Sequence, residues 1–154
     1  MAFDNLVGKD GKAYYSTATV YATPVWVLMP KVIDVTVTLG KNMADLNSRE
    51  QSWSLKGAAL KTAQVSFGYL HVVGADTVFD ALLDSYIADT PVPLALLDGL
   101  VATSGTQGLR GYFIISGMDQ DQSLEEGFSY SFVADPVRWN DGGTVRPPEW
   151  MDVA

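Results

Sequence analysis

Few side chains in this chain could do chemistry, and none stands with the partners that chemistry needs. His71 is the single histidine. With no cysteine and no serine-nucleophile motif beside it, a general base here has nothing to activate, and a packed or surface residue on a strand is the reading that fits. Asp76, Asp80 and Asp84 recur at i, i+4 and i+8, along one stripe of a helix. That stripe could hold Mg²⁺. A solvated face opposite an apolar stripe is the favoured reading, and a basic partner surface is a third, because like charges at this spacing repel mildly. Asp119-Gln120-Asp121-Gln122-Ser123 opens like a calcium loop, then places Leu124 where the loop needs glycine and Tyr130 where it needs a bidentate glutamate. It reads as a hairpin turn. Gly105-Thr106-Gln107-Gly108 is too short for a phosphate loop and lacks its Gly-Lys-Thr ending. Phe128, Tyr130 and Phe132 could line a sugar cleft, but at period-two spacing they suit a core better. No catalytic, metal or cofactor site emerges, so no cofactor is implied.

Composition points the same way. The 154 residues suit one domain with a sizeable core. Hydrophobic residues at 47% and charged residues at 18% argue against disorder. The absence of cysteine removes disulfides and thiolate metal sites. The net charge of -8 makes the chain a poor ligand for nucleic acid, since its 10 Lys and Arg are scattered rather than clustered. Met1 to Lys12 has no apolar run of a secretory signal, and no segment approaches the roughly 20 apolar residues of a membrane span. The expectation is a soluble chain starting at its own Met, with no membrane partner.

These surfaces must be positioned by strands and one helix. Val7 to Lys12 reads as a turn with an Asp-Gly signal, followed by a strand at Ala13, Tyr14 and Tyr15 that Thr23-Pro24 breaks. From Lys31 to Leu39, Ile33, Val35, Val37 and Leu39 alternate with Asp34, Thr36 and Thr38, a half-buried strand that Gly40 ends. Asn42 to Asn47 is its expected return strand. Thr62 to Val72 alternates again, with Ala63, Val65, Phe67 and Tyr69 on the dry face. Ala75 to Asp89 changes period: Val78, Phe79, Leu82, Leu83, Tyr86 and Ile87 form one apolar stripe on a helix of four turns, capped by Asp76 and stopped at Asp89-Thr90-Pro91. Val92–Leu97, Leu109–Met118 and Gln122–Val133 are further strands, with a polar loop at Ala102–Gly108 and an extended tail at Arg146–Trp150. About seven strands and one flanking helix give a mainly β class, a sandwich or small barrel. Its expected core holds Ile33, Val35, Val37, Val65, Phe67, Phe79, Leu83, Phe113, Phe128, Tyr130 and Phe132.

Several segments, in order, resemble the phage tail tube (major tail) proteins: Gly8-Lys9-Asp10-Gly11-Lys12-Ala13-Tyr14-Tyr15, "KVIDVTVTLGKNMADL", "WSLKGAALKTAQVSFGYL", "FDALLDSYIADTPVPLALLDG", "SGTQGLRGYFIISGMDQDQSLEEGFSYSF" and "RPPEW". The resemblance covers nearly the whole chain and is weakest between Ser16 and Pro30. It implies a β-sandwich with one flanking helix: a single domain over 1–154 with extended arms at 1–12 and 140–154. It further implies subunits closing into rings, by analogy hexamers, stacked into a hollow tube that DNA passes through without specific binding. Tape-measure and tail-terminator proteins would be its partners, and the virion tail, assembled in the bacterial host cytoplasm, its location. An acidic conduit repels phosphate, and with screening over about 8 Å only charges near the lumen matter. The alternatives are a type VI secretion or contractile injection tube, or a non-catalytic β-sandwich binding module for carbohydrate or protein; an enzyme is a distant third.

On that reading, the small polar faces of the long strands form the lumen wall: Asp34, Thr36, Thr38, Gln64, Ser66, Ser129 and Ser131. The polar stretch 47–57, with Asn47, Arg49, Glu50 and Trp53, is the loop that reaches the next ring, since Trp and Arg are favoured at interface hot spots. The competing reading is that Trp53 folds back over the domain's own core.

Overall fold

The computed structural model describes residues 11–50, 52–71, 74–123 and 127–154, without the side chains of Ser123, Gly127, Phe128 and Asp141. The turn expected at Val7–Lys12 lies almost wholly outside them. Ten strands and one helix follow in the order β1 (Lys12–Ser16), β2 (Trp26–Leu28), β3 (Val32–Asp45), β4 (Lys56–Leu70), α1 (Thr77–Ile87), β5 (Val92–Leu97), β6 (Gln107–Ser123), β7 (Gly127–Pro136), β8 (Trp139–Asp141), β9 (Thr144–Arg146) and β10 (Glu149–Asp152). The class is mainly β with one helix, as the alternation implies. An antiparallel sheet runs β2-β1-β5-β6-β7-β4-β3, and β10 pairs with the start of β6, beyond the end of β7. The sheet path begins and ends on β2 and β3, which are consecutive in sequence. The corner at 29–31 therefore ties its two edges together, with Met29 N–H donating to Ala13 at 2.9 Å and Leu70 N–H to Lys31 at 3.0 Å.

One core forms where β1, β4, β5, β6 and β7 turn their apolar positions toward α1. Val65, Phe67 and Tyr69 alternate into it from β4, opposite Ala134, Phe132 and Tyr130 of β7. Every residue of β5 is buried, which explains its unbroken apolar run. Helix α1 is shorter than expected. Its stripe is Val78, Phe79, Leu82 and Ser85, while Tyr86 and Ile87 are 46% and 68% exposed. Ser85 takes the fourth inward position, where its Oγ accepts the Ile115 N–H at 3.2 Å and so gives the buried oxygen a partner.

The long hairpin corrects three expectations. Gly40 does not end β3, and Asn42 to Asn47 is no return strand; the same strand continues to Asp45 and pairs with β4 throughout. Asp34, at φ 50°, sits in a bulge where the register skips from Ile33↔Gly68 to Thr36↔Ser66. An extra residue reverses the alternation, so Val32 and Val37 both pack on the core. Ile33 is left outside it, over Gly68, and Val35 stays largely exposed. The Phe128 side chain lies outside those described. Asp119–Ser123 is the end of β6 rather than a turn, and the C-terminal arm carries the short strands β8, β9 and β10.

A second cluster on the opposite face holds the segment at 17–25 and the C-terminal arm. The Arg110 guanidinium lies 4.3 Å from the Tyr21 ring centroid and 5.5 Å from those of Trp26 and Trp139. Trp139 Nε1–H donates to the Thr19 carbonyl at 2.8 Å.

Candidate functional site

Because successive side chains of a strand point to opposite faces, burying Val65, Phe67, Tyr69, Phe132 and Ala134 turns their neighbours to the other side. The register lines these neighbours up in rows: Thr38 beside Gln64, Thr36 beside Ser66, and Ser131 and Ser129 beside Gly68 and Leu70. Six of the seven residues expected on a polar wall are thus brought to one face of β3-β4-β7, away from α1. Asp34 is exposed but stands in the bulge, outside this alternation. The face also carries three acids the sequence reading did not select. Asp119 pairs with Ser131 and Asp121 with Ser129, while Asp135 accepts from Gln64 Nε2 at 3.3 Å. Reading 119–123 as a turn hid the first two.

The second surface is the β3–β4 hairpin. From Gly40↔Thr62 to Asp45↔Lys56 it extends by about 20 Å at ~3.4 Å per residue. Asn47 closes its tip, with Oδ1 accepting the Leu55 N–H at 2.9 Å and the Leu46 N–H donating to the Leu55 carbonyl at the same distance. Arg49, Glu50 and Trp53 lie on that tip, exposed. Trp53 is 79% exposed, so it does not cover the chain's own core. Met43, Leu46, Leu55 and Leu60 are exposed along the same arm. Apolar side chains thus face water along the length of this one projection.

The groups that might have done chemistry are otherwise engaged. Asp76 caps α1, its Oδ1 accepting the Val78 and Phe79 N–H groups at 3.2 and 3.3 Å, while Lys31 Nζ lies 3.1 Å from Oδ2 and Tyr69 donates its phenol there. Burial alone would raise its pKa; the hydrogen bonds from Tyr69, Lys31 and the Phe79 amide outweigh that and hold it at about 2. The Tyr69 phenol is pushed well above its ordinary value by burial, then by the same carboxylate. With Asp76 committed to the cap and Asp80 and Asp84 exposed, the acidic stripe is a solvated helix face. Among the described residues no cluster of His, Asp and Glu is placed to hold a metal, and no helix is long and apolar enough to cross a membrane. His71 stacks on Phe79, ring centroids 4.4 Å apart, as part of the packing. Thr106 Oγ1 donates to the Leu100 carbonyl at 2.8 Å and closes the turn before β6, to which Gln107 and Gly108 already belong.

This architecture matches solved structures over almost the whole chain. It superimposes on a subunit of the SPP1 tail tube with a TM-score of 0.72 at 14% identity, covering 96% of this chain and 80% of that one. A chain from the tail of an empty gene transfer agent particle, refined with C6 symmetry, matches at 0.64 and 14% identity, covering 92% and 97%. A chain of the six-fold symmetrised anti-feeding prophage baseplate matches at 0.60 and 8% identity, covering 99% of both. No family model and no curated protein matches the sequence. At these identities the likeness establishes the fold, which is that of the phage tail tube proteins.

Proposed function

We propose that the chain is a non-enzymatic structural subunit that assembles into stacked rings forming a tail-like tube. The observation that carries this reading is the exposed Trp53 at the tip of a hairpin projecting from a tail-tube fold. A monomer gains nothing from an apolar arm in water, whereas an assembler uses it as a joint. Hexameric rings follow by analogy with the six-fold neighbours, and residues 1–154 act as one domain within them. The polar face of Thr36, Thr38, Gln64, Ser66, Ser129 and Ser131, with Asp34 at its edge and Asp119, Asp121 and Asp135 added, forms the lumen wall. Its short hydroxyls and carboxylates give a passing polyanion nothing to grip. DNA then passes through without specific binding, tape-measure and terminator proteins meet the tube within and at its end, and the tube belongs to a virion tail assembled in the host cytoplasm. The match to an anti-feeding prophage baseplate chain supports a second reading, the tube of a contractile injection system.

Negative-stain electron microscopy of the purified chain across a concentration series tests the proposal. Rings or tubes that grow with concentration are the expected result. A protein that stays monomeric throughout while binding a glycan or another protein would replace the reading with that of a binding module.

A further inference from the structure

A groove of about 750 Å³ lies where the root of the β3–β4 hairpin overhangs the C-terminal arm. Leu39 and Ala63 on the hairpin, Leu109 on β6, and Pro148 and Trp150 on the arm give it an apolar lining. Trp150 is 59% and Leu39 55% exposed, so the described residues leave it open. Lys41 and Lys61 line it too, as direct cross-strand partners. Two like charges in that position repel. Among the described residues neither lysine has an ion-pair partner. On the arm side the groove is lined by the Glu149 carboxylate, 44% exposed even with Arg110 Nε at 3.7 Å.

The hairpin tip carries the complementary set: an exposed indole beside one acid and one base. We propose that this groove receives the hairpin tip of a second copy of the chain, seating Trp53 against Leu39 and Trp150, Glu50 beside Lys41 and Lys61, and Arg49 toward Glu149. The tip cannot reach its own groove, because the seven residue-to-residue steps from Gly40 to Asn47 carry it roughly 23 Å away along the hairpin. The contact joins unlike patches of one chain, so each copy offers a tip and accepts one, and the interaction propagates. It rests on the reading of the chain as a tube subunit and names the surface to which the tip docks.

The chain has no cysteine, which makes cross-linking unambiguous. Ser54→Cys beside the tip indole and Thr62→Cys on the groove, combined in one chain, are oxidised under assembling conditions after circular dichroism has verified the fold. The expected result is a ladder of covalent multimers on a non-reducing gel, with either single variant stopping at dimers. Trp53→Ala and Glu50→Lys in this background each reduce the ladder at least tenfold, and Lys41→Glu with Lys61→Glu restores it in the Glu50→Lys chain. Tubes visible by microscopy with no ladder would sink the groove assignment and leave the tube reading standing. A chain monomeric under every condition would remove both. A Phe3→Cys, Thr62→Cys chain that closes into an internally linked monomer, while the Ser54 pair gives no ladder, would assign the groove to the chain's own N-terminal segment.

Discussion

Tyr69 and Asp76 join the central strand β4 to the start of α1 through one carboxylate. Oδ2 accepts the Tyr69 phenol and the Lys31 ammonium, while Oδ1 accepts the first free amides of the helix. The interaction is charge-dependent, so it titrates. The carboxyl is lowered from 3.8 to about 2 in the fold. A depressed folded-state pKa contributes stability that is fully present above the unfolded value and lost as pH falls through the folded one. Asp76→Asn retains an oxygen for the cap but no charge. It should therefore cost on the order of 2 kcal/mol at pH 7, with the gap to wild type closing between about pH 4 and pH 2. Denaturant unfolding at a series of pH values measures that gap, and a constant difference across the window would contradict the linkage.

Phe79 is the apolar centre of the helix contact. Its ring lies 4.4 Å from His71, 4.8 Å from Tyr130 and 5.9 Å from Tyr69, centroid to centroid. Truncation leaves a cavity between helix and sheet, and Phe79→Ala should cost about 3–5 kcal/mol. A thermal melt showing a loss below about 1 kcal/mol would mean the helix face is not seated as described.

Where the sequence was legible, the reason is a single dry face. Val65, Phe67 and Tyr69 alternate against Gln64, Ser66 and Gly68 with no interruption, so strand and burial follow together. The same logic misplaces Ile33 and Val35, because the bulge at Asp34 inserts a residue and nothing in a run of valines and threonines marks where parity changes. Gly40 looked like a terminator, yet a glycine within a strand only weakens pairing, and an added Cβ there would meet Thr62 Oγ1 at 2.8 Å. Ser85 lies outside any apolar stripe read from the sequence, because a serine's burial depends on a distant amide, that of Ile115. Asp119 to Ser123 carries no apolar alternation, so it reads as a turn while pairing as a strand. The Arg110 cluster had no local signal either, since Trp139 and Thr19 meet across 120 positions.

Gly108 tests the closest approach in the sheet. A Cβ at this position would lie 1.9 Å from the Leu96 carbonyl oxygen and 2.9 Å from the Leu97 Cα, both backbone atoms of the paired strand β5. Neither can rotate away, so Gly108→Ala must push β5 and β6 apart. The expected loss is about 3 kcal/mol, the upper end of overpacking costs. Gly117→Ala is the control, because its nearest neighbour, Val133 Cβ, would be an ordinary contact at 3.7 Å. Parallel urea titrations of the two variants decide the point: equal midpoints would show that the β5–β6 spacing is not what fixes glycine there.

The polar face gives the prediction closest to function. Asp119 and Asp121 are exposed on β6 beside Ser131 and Ser129, and no ion pair within the described residues neutralises them. If this face lines a lumen, its carboxylates repel phosphate only within about 8 Å at physiological salt, so reversing their sign acts on a strand inside the tube and hardly outside it. Asp119→Lys with Asp121→Lys should leave the fold intact, because both side chains already face water. Each added lysine near the DNA path contributes a phosphate contact, and retention then weakens steeply as salt rises. The measurement is DNA release from assembled particles across a salt series. Slower release from the variant than from wild type at low salt, converging at high salt, is the expected outcome. Identical release at every salt concentration, from tubes of normal appearance, would show that this face lies on the outside of the assembly.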